Sequence, residues 1–274
     1  MLGTTKSRGR KSTSDKFYTK PEIALRCIEF VGLEGFDQII EPSAGSGSFS
    51  KQIPGCQAYD LYPEDASVQR QDWFDYVQER DPSKRVLVIG NPPFGQQNTL
   101  AVAFINQAAR FADVIAFILP ISFKKYSVQN RLDKHLHRAK ELILPVNSFT
   151  LDGVDYNVAS VFQVWEWREE KRLSAPRKMT SPHFHFVGKD DNPDCRVQRV
   201  GGNAGVPSKD LSKAAASNYF IKIDMGISVD DFMTYVQTLV FPGRDFGVGP
   251  RTISKDEFVR VFEDNLPANI SRTA

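Results

Sequence analysis

Apolar residues in this chain are concentrated in short continuous runs that glycine, proline and polar residues separate. One of these is Val86-Leu87-Val88-Ile89, and a continuous run of this kind is typical of a strand buried on both faces of a parallel sheet. Helical patterns separate most of the runs, and such alternation predicts an α/β fold with a mostly parallel sheet of seven strands. The predicted strands are residues 37–41, 56–60, a short third strand with its tip at 71–74, 85–90, 114–119, 142–144 and 158–165.

Helical periodicity and end signals predict the helices that accompany this sheet. The first covers residues 21–31, where Thr19 and Glu22 stand at capping-box spacing. The second covers residues 99–111, and the basic stretch 131–140 is interpreted as another helix.

Composition changes near Glu169, after which the chain becomes basic and rich in turn residues. We therefore predict a disordered basic tail at residues 1–15, a main domain at 16–169 and a small α+β region at 170–274 that could recognise the substrate.

Turn and capping signals predict the elements of that last region. A turn at 190–193 predicts a hairpin between strands 184–187 and 196–200. Two helices are predicted after it, one following Ser228 and one opened by the capping box of Ser254 and Glu257.

Composition excludes several classes of protein. Hydrophobic residues make up 41% of the chain, and 20 phenylalanines suffice for a substantial core. The net charge of +2 is close to balance, so charge by itself does not indicate a nucleic-acid binder. The 3 cysteines are far apart and the histidines join no ligand cluster, so neither a disulfide framework nor a metal site is expected. With no apolar run that could span a membrane, we expect a soluble intracellular protein, cytoplasmic or, if viral, in the host cell.

The candidate chemistry lies where the predicted strands end. Asn91-Pro92-Pro93-Phe94 follows strand 85–90, and two consecutive prolines stop that strand at the edge where α/β sheets place their ligands. Glu41 begins a glycine-rich turn, Pro-Ser-Ala-Gly-Ser-Gly-Ser, which precedes a predicted helix as phosphate- and nucleotide-binding turns do. Asp60 follows Glu41 by 19 positions, about the distance at which an acid binds ribose hydroxyls.

Together with Asp72 and the upstream Phe17-Tyr-Thr-Lys-Pro21, these motifs resemble class I S-adenosylmethionine-dependent amino-methyltransferases. The resemblance covers roughly residues 16–168 and is strongest to the adenine-N6 branch acting on DNA, of viral, phage or bacterial orphan type. It implies a Rossmann-like sheet whose last strand is antiparallel, with S-adenosyl-L-methionine as cofactor. It also implies a nucleic-acid partner, DNA in preference to RNA. Neither a membrane nor a metal is expected from the residue pattern, and the oligomeric state is not predicted.

The resemblance assigns the methyl-accepting amine to the tetrapeptide. The Asn91 side-chain oxygen and the Pro92 carbonyl would accept hydrogen bonds from the amine and localise its lone pair, so orientation replaces a strong base. Pro92 and Pro93 would make these acceptors rigid, and Phe94 would stack on the base. A base in a duplex would have to be flipped out, and Phe149, or Tyr156 as the alternative, could then hold it.

The resemblance also assigns the cofactor contacts. The methionine portion would lie against the first loop and the upstream motif, the ribose on Asp60 and the adenine amino group on Asp72, with Trp73 or Leu61 packing the ring. The implied cofactor-binding residues are Tyr18, Thr19, Glu41, Ser43, Gly45, Gly47, Asp60, Leu61, Asp72 and Trp73.

The Asn-Pro-Pro-aromatic motif is shared with enzymes that methylate cytosine N4, guanine N2 in ribosomal RNA, or a glutamine of release factors. Two features favour adenine as the target. The first loop is Glu-Pro-Ser-Ala-Gly, whereas the guanine and glutamine enzymes usually have Asp-x-Gly-x-Gly. The tetrapeptide begins with Asn91, whereas the cytosine enzymes more often have serine there. RNA adenine-N6 and guanine-N2 methylation stay open, as does a catalytically silent module that only binds nucleic acid. The basic residues between Lys124 and Lys140 are either a solvated face or phosphate contacts.

Overall fold

The structure is a computed structural model that describes residues 17–174, 177–224, 227–246 and 250–266. Its residues group into two compact units, one within Met1–Pro120 and Arg131–Arg172 and one within Ile121–Asn130 and Leu173–Ala274. The predicted basic tail lies outside the described residues, and the predicted domain limits stay a prediction. Within the described ranges no helix has both the length and the apolar composition needed to cross a bilayer.

The first unit contains a seven-stranded sheet, a three-stranded sheet and two helices. The seven strands are β2 (Gln38–Glu41), β3 (Gln57–Asp60), β4 (Gln69–Arg70), β5 (Val86–Gly90), β6 (Val114–Pro120), β7 (Leu136–Ile143) and β10 (Ser160–Trp167). The three short strands are β1 (Tyr18–Thr19), β8 (Phe149–Leu151) and β9 (Val154–Tyr156), and the helices are α1 (Pro21–Val31) and α2 (Thr99–Ala108).

The large sheet has the strand order β4-β3-β2-β5-β6-β10-β7. Its strands from β4 to β6 pair in parallel, whereas β10 is antiparallel to both of its neighbours. Every residue of β5 and β6 is buried, which explains their continuous apolar runs. The predicted α/β fold, with a mostly parallel seven-stranded sheet and an antiparallel last strand, is confirmed.

The predicted basic helix at 131–140 is wrong, because residues 136–140 belong to strand β7 and residues 131–135 are not helical. This strand lies at the edge of the sheet and pairs only with β10. Its residues from Arg138 to Lys140 are exposed, so their charges are solvated along a sheet edge. Exposed helices and edge strands can both carry a run of basic residues, so the sequence alone did not distinguish the two for this stretch.

Two local predictions near the glycine-rich turn also need correction. The short third strand is Gln69–Arg70, and the predicted tip instead forms a single 3₁₀ turn, Trp73–Asp75, which Asp72 caps by accepting the Phe74 N–H at 2.9 Å. Thr19 does not cap α1, since it lies in β1 opposite Phe149. Strand pairing therefore decides the position of the upstream motif.

The second unit packs two helices on a four-stranded antiparallel sheet of order β11-β14-β12-β13. The strands are β11 (Phe184–Val187), β12 (Cys195–Gln198), β13 (Pro207–Ser208) and β14 (Asn218–Ile223). The two helices that pack on the sheet are α4 (Val229–Thr238) and α5 (Lys255–Asp264), and the unit also contains the short helix α3 (Tyr126–Gln129). The buried side chains of this core are Phe184, Cys195, Val197, Ile221, Phe232, Val236, Phe241, Ile253, Phe258, Val259 and Phe262.

The predicted hairpin between residues 184–187 and 196–200 is wrong, because β14 lies between β11 and β12. A turn signal shows where the chain reverses and does not exclude a later strand from inserting between the two arms. The two helices are confirmed: Ser228 and Ser254 each accept an N–H at the start of α4 and α5.

We expect Ser228→Ala to lower the free energy of unfolding of the second unit by about 1 kcal/mol, because the Ser228 hydroxyl accepts the Asp231 N–H at 3.1 Å. Urea denaturation would measure the change. The control is Ser217→Ala, at an exposed position outside any helix cap of the described residues. An equal loss in both variants would contradict the capping role of Ser228.

Candidate functional site

A cleft of about 370 Å³ lies in the first unit at the carboxyl ends of β2, β3 and β5. Because β2 pairs in parallel with both β3 and β5, these three ends meet at one edge of the sheet. The side chains and backbone that line the cleft belong to Phe17, Tyr18, Thr19, Glu41, Pro42, Ser43, Ala44, Gly45, Ser48, Phe49, Asp60, Leu61, Tyr62, Glu64, Asp72, Trp73, Phe74, Asn91, Pro92, Pro93, Leu100 and Phe104. The glycine-rich turn, both acids and three residues of the tetrapeptide thus share one cleft.

The glycine-rich turn is tied to the end of β3 by Asp60. The Gly45 N–H donates to Asp60 Oδ2 at 2.8 Å, and the Tyr62 N–H donates to Asp60 Oδ1 at 2.8 Å. A carboxylate can accept about four hydrogen bonds, so both oxygens keep further acceptor capacity. Gly45 has a φ of 53°, and a Cβ there would lie 3.4 Å from the Tyr18 ring. Glycine lets the turn approach the upstream motif closely.

Glu41 is a buried carboxyl at the end of β2, only 2% exposed. Its Oε2 accepts the Ser50 N–H at 2.8 Å. Burial raises the pKa of Glu41 to about 7, against the hydrogen bonds from Ser50 and Phe49 that lower it. A Cβ on Gly90 would lie 3.3 Å from Glu41 Cγ, so a glycine at the end of β5 leaves room for the acid. With this pKa, both the protonated and the ionised form of the Glu41 side chain are populated near neutral pH.

Asn91 is held at the end of β5 by its backbone, and its side-chain oxygen is left without a donor. The Ser43 hydroxyl donates to the Asn91 carbonyl at 3.1 Å, which joins the glycine-rich turn to the tetrapeptide. Asn91 Oδ1 is buried, and no donor among the described residues reaches it. An enclosed acceptor without a partner costs about 1–3 kcal/mol, so its retention needs a reason. A donor from a bound molecule would satisfy it.

The two predicted base-stacking rings are buried in an aromatic cluster. Phe94 is 7% exposed and Phe149 is fully buried, and neither lines the cleft. The Phe17 ring packs edge-on against both, with centroids 5.3 Å from Phe94 and 4.8 Å from Phe149. Tyr156, the alternative to Phe149, lies 5.7 Å from the same ring and is 36% exposed. The Phe17 ring therefore contacts both the last residue of the tetrapeptide and the predicted base-holding side chains.

The upstream motif reaches the cleft through the three-stranded sheet. The Tyr18 hydroxyl donates to Glu64 Oε1 at 2.6 Å, and the Ser48 hydroxyl donates to the Thr19 carbonyl at 2.8 Å. Thr19 Oγ1 is buried without a partner among the described residues. Thr19 lines the cleft and, like Asn91, carries a buried side-chain oxygen without a hydrogen-bond partner among the described residues.

The residues predicted to bind the adenine ring lie along one wall. Trp73 is 2% exposed, and its Nε1–H donates to the Phe104 carbonyl at 3.2 Å, which fixes the indole. Asp72 lines the cleft while capping the following turn, and Leu61 is 43% exposed. Of the predicted cofactor residues, Gly47 is outside the lining set; its φ of 82° shapes the turn instead.

Sequence reasoning missed several aromatic and polar residues of the cleft. Phe74 and Phe104 pack on each other edge-on beside Trp73, and Tyr62 is 67% exposed after Asp60. The spacing of aromatics after the strand-end acids was the only signal for Phe74 and Tyr62. Nothing in the sequence indicated that Phe104 lines the cleft, because its position there depends on how helix α2 packs against the sheet. No three His, Cys, Asp or Glu side chains among the described residues are placed to hold a metal ion.

Residues 48–170 match the family model of the EDM2 methyltransferase-like domain. This stretch of the chain is similar to a methyltransferase-like domain. The match begins just after Gly47 and covers Asp60, Asp72 and the tetrapeptide. It supports the prediction of S-adenosylmethionine as the cofactor. A search of curated proteins found no match.

Several solved structures are similar to this domain at low sequence identity. A protein from Pyrococcus horikoshii proposed to be an RNA methyltransferase is 15% identical with a TM-score of 0.43, over 58% of this chain and 90% of that one. The 23S rRNA methyltransferase ErmE is 12% identical with a TM-score of 0.39, over 90% of this chain and 98% of that one. A proposed methyltransferase from Streptococcus mutans, in complex with SAH, is 16% identical with a TM-score of 0.33, over 54% of this chain and 98% of that one.

The pKa of Glu41 predicts a pH dependence of stability. Between its ordinary pKa of 4.5 and about 7, the folded state holds more protons than the unfolded state, so the free energy of unfolding falls as pH rises. We expect the wild type to lose on the order of 3 kcal/mol relative to Glu41→Gln across this window. Urea denaturation at a series of pH values would measure the difference. Glu22→Gln, at an exposed site on α1, should follow the wild type; parallel curves for the wild type and Glu41→Gln would contradict the assignment.

Proposed function

We propose that this protein transfers a methyl group from S-adenosyl-L-methionine to the exocyclic N6 amine of adenine in DNA. The observation that supports this most is the buried, partnerless Asn91 Oδ1 at the carboxyl end of β5. An amide oxygen in this position can accept a hydrogen bond from an amine and has no other donor among the described residues. Its cleft is shared with the glycine-rich turn and the strand-end acids.

The chain's own residues would act on the amine by orientation. An exocyclic amine is a weak nucleophile because its lone pair is delocalised into the ring. Hydrogen bonds accepted by Asn91 Oδ1 and by the Pro92 carbonyl would turn the amine towards tetrahedral geometry and localise that lone pair. Pro92 and Pro93 restrict the backbone, and the bond from Ser43 holds the Asn91 carbonyl. After transfer the charged amine would lose a proton to water, so no strong base is needed.

The cleft of about 370 Å³ offers carboxylate acceptors and apolar side chains of the kinds that would hold the cofactor. S-adenosylmethionine would supply an electrophilic methyl group on a sulfonium and leave as the neutral thioether. Asp60 would accept the ribose hydroxyls while it holds Gly45 and Tyr62. Asp72 would accept from the adenine amino group, and Trp73 and Leu61 would pack the ring. Ser43, Gly45 and Thr19 would surround the methionine portion, and Glu41 and Gly47 would shape the turn that holds it.

A target base would have to enter beside the tetrapeptide. Phe94 and Phe149, the proposed stacking rings, are in contact with Phe17 in this structure. Base entry would therefore require Phe17 to move away from these rings, after which Phe94 could stack on the adenine. The target is an unpaired or flipped-out adenine, because a stacked base cannot reach an enclosed site.

DNA is favoured as the polymer by the loop Glu-Pro-Ser-Ala-Gly and by Asn91, on resemblance to the adenine branch. RNA adenine N6 and guanine N2 are the alternative amines, since the same acceptors would orient them. The alternative that is not an enzyme is a catalytically silent module that only binds nucleic acid. The intact glycine-rich turn and the unused acceptor of Asn91 argue against it.

We expect Asn91→Ala to lower methyl transfer to DNA about 100-fold or more, because removing one preorganised hydrogen-bonding group of an active site has this effect. Binding of S-adenosylhomocysteine should change little, since Asn91 Oδ1 acts on the amine. Transfer of labelled methyl groups from S-adenosylmethionine to separate DNA, RNA and protein pools would measure the activity.

The matched control is Asn203→Ala, at an exposed position outside the cleft, which should keep wild-type activity. Label in RNA alone would replace DNA by RNA in the proposal, and label in protein alone would exclude nucleic acid. Wild-type protein that binds the cofactor and labels no pool would favour the silent module.

We expect Asp72→Ala to weaken binding of S-adenosylhomocysteine about 10- to 100-fold, because a hydrogen bond to a charged group contributes about 1.5–3 kcal/mol. Isothermal titration calorimetry would measure the dissociation constant. Asp75→Ala removes an exposed acid of the same turn that does not line the cleft, and it should bind normally. Equal weakening in both variants would point to loss of the turn and not of an adenine contact.

A further inference from the structure

The second unit contains a cavity of its own, about 610 Å³ in volume, at the start of α5 and beside α3. Binding pockets for small molecules span about 300–1,000 Å³, so a nucleotide-sized group fits this one. Its lining residues are Lys124, Lys125, Tyr126, Ser127, Asn130, Arg177, Met179, Pro242, Gly243, Phe246, Ser254, Lys255, Asp256, Glu257, Arg260 and Val261. The methyl-transfer chemistry proposed above uses none of them.

The charges of this cavity favour an anion. Five of the lining residues are basic and two are acidic. Asp256 is already engaged, since its carboxylate accepts from Arg260 Nε at 3.1 Å and from the Lys178 N–H. Burial raises the pKa of Glu257 and lowers the pKa of Lys125, so enclosure weakens both of these charges. The remaining basic groups leave an excess of positive charge.

Aromatic rings stand beside these cations. Tyr126 is 54% exposed, and Arg260 Cζ lies 5.6 Å from its centroid. Lys124 Nζ lies 5.2 Å from the centroid of Phe246. Exposed aromatic faces next to basic side chains are the combination with which proteins bind unpaired nucleotides, through stacking and phosphate contacts together.

One buried acceptor in the cavity has no partner. Glu257 Oε1 is enclosed and makes no hydrogen bond among the described residues, although the Gly243 and Ser254 backbones are close enough to the carboxyl to lower its pKa. An unsatisfied buried acceptor is costly, and the edge of a base carries amino and imino donors that would satisfy it. Neighbouring Asn130 and Ser127 also line the wall. Neither inorganic phosphate nor a lipid headgroup phosphate would use both the aromatic face and this acceptor.

We propose that this cavity binds one unpaired nucleotide of a single-stranded nucleic acid. Its base stacks on Tyr126 and donates to Glu257, and its phosphate contacts Lys124 and Arg177. A base enters a cavity only when it is not paired, which is why a single strand fits and a duplex does not. The inference rests on residues of the second unit and holds whether or not the protein transfers methyl groups.

The test uses the full chain with Asn91→Ala, so that catalysis does not enter the measurement. Fluorescence anisotropy of a labelled single-stranded 12-nucleotide DNA would give the dissociation constant. We expect Tyr126→Ala to raise it at least fivefold, because stacking on one base contributes that much or more, and Tyr126→Phe to leave it near the parent value. Circular dichroism would confirm that each variant is folded.

Arg177→Ala provides a second variant, at an exposed side chain. It should reduce the slope of log affinity against log salt concentration by about 0.7, the value for one phosphate contact on a single strand. Lys213→Ala removes the same charge from an exposed site outside the cavity and should leave the slope unchanged. Parent-like binding by Tyr126→Ala and Arg177→Ala, or an equal slope change in Lys213→Ala, would overturn the proposal.

Competition with unlabelled ligands distinguishes a single strand from a duplex and from a free nucleotide. Unlabelled single strand should displace the probe in a Tyr126-dependent way, whereas duplex DNA and AMP should compete at least tenfold more weakly. AMP or duplex that competes as well as the single strand would overturn the assignment to an unpaired nucleotide of a polymer. Photo-crosslinking of a 5-bromouracil strand should label the peptide that contains Tyr126, and crosslinks found only in the first unit would contradict the site.

Discussion

Parallel pairing of β2 with β3 on one side and with β5 on the other is the constraint on which the candidate active site depends. It brings three carboxyl ends to one edge, so that Glu41, Asp60 and Asn91 are neighbours although 50 residues separate the first from the last. The bond from Ser43 to the Asn91 carbonyl and the bond from Gly45 to Asp60 then connect these ends through the glycine-rich turn.

The cleft combines rigid backbone with unused polar atoms. Glycines at positions 45 and 90 allow the turn and β5 to approach Tyr18 and Glu41 closely. Against this tightly bonded frame, Asn91 Oδ1 and Thr19 Oγ1 are buried without partners among the described residues. Proteins satisfy nearly all such groups, so two of them in one cleft are a physical sign of a ligand site.

The second unit differs from the first in its core and in the residues that line its cavity. Its core is an aromatic cluster between an antiparallel sheet and two helices, and its cavity is lined by cations, exposed rings and one partnerless carboxylate oxygen. This set suits recognition of a nucleotide and differs from the buried amide oxygen that Asn91 presents in the first unit. Each unit thus has its own cavity with its own chemistry.

The sequence by itself determined the α/β class, the parallel strands β2, β3, β5 and β6, and the residues at their carboxyl ends, because buried strands need continuous apolar runs and prolines and glycines end them. Only the tertiary structure decided that 136–143 is an edge strand, that β14 separates β11 from β12, and that Phe17 contacts Phe94 and Phe149. Those outcomes depend on pairing between segments far apart in the chain. Local composition signals burial and turns, whereas the choice of partner follows from which long-range contacts bury the most surface and satisfy the most hydrogen bonds.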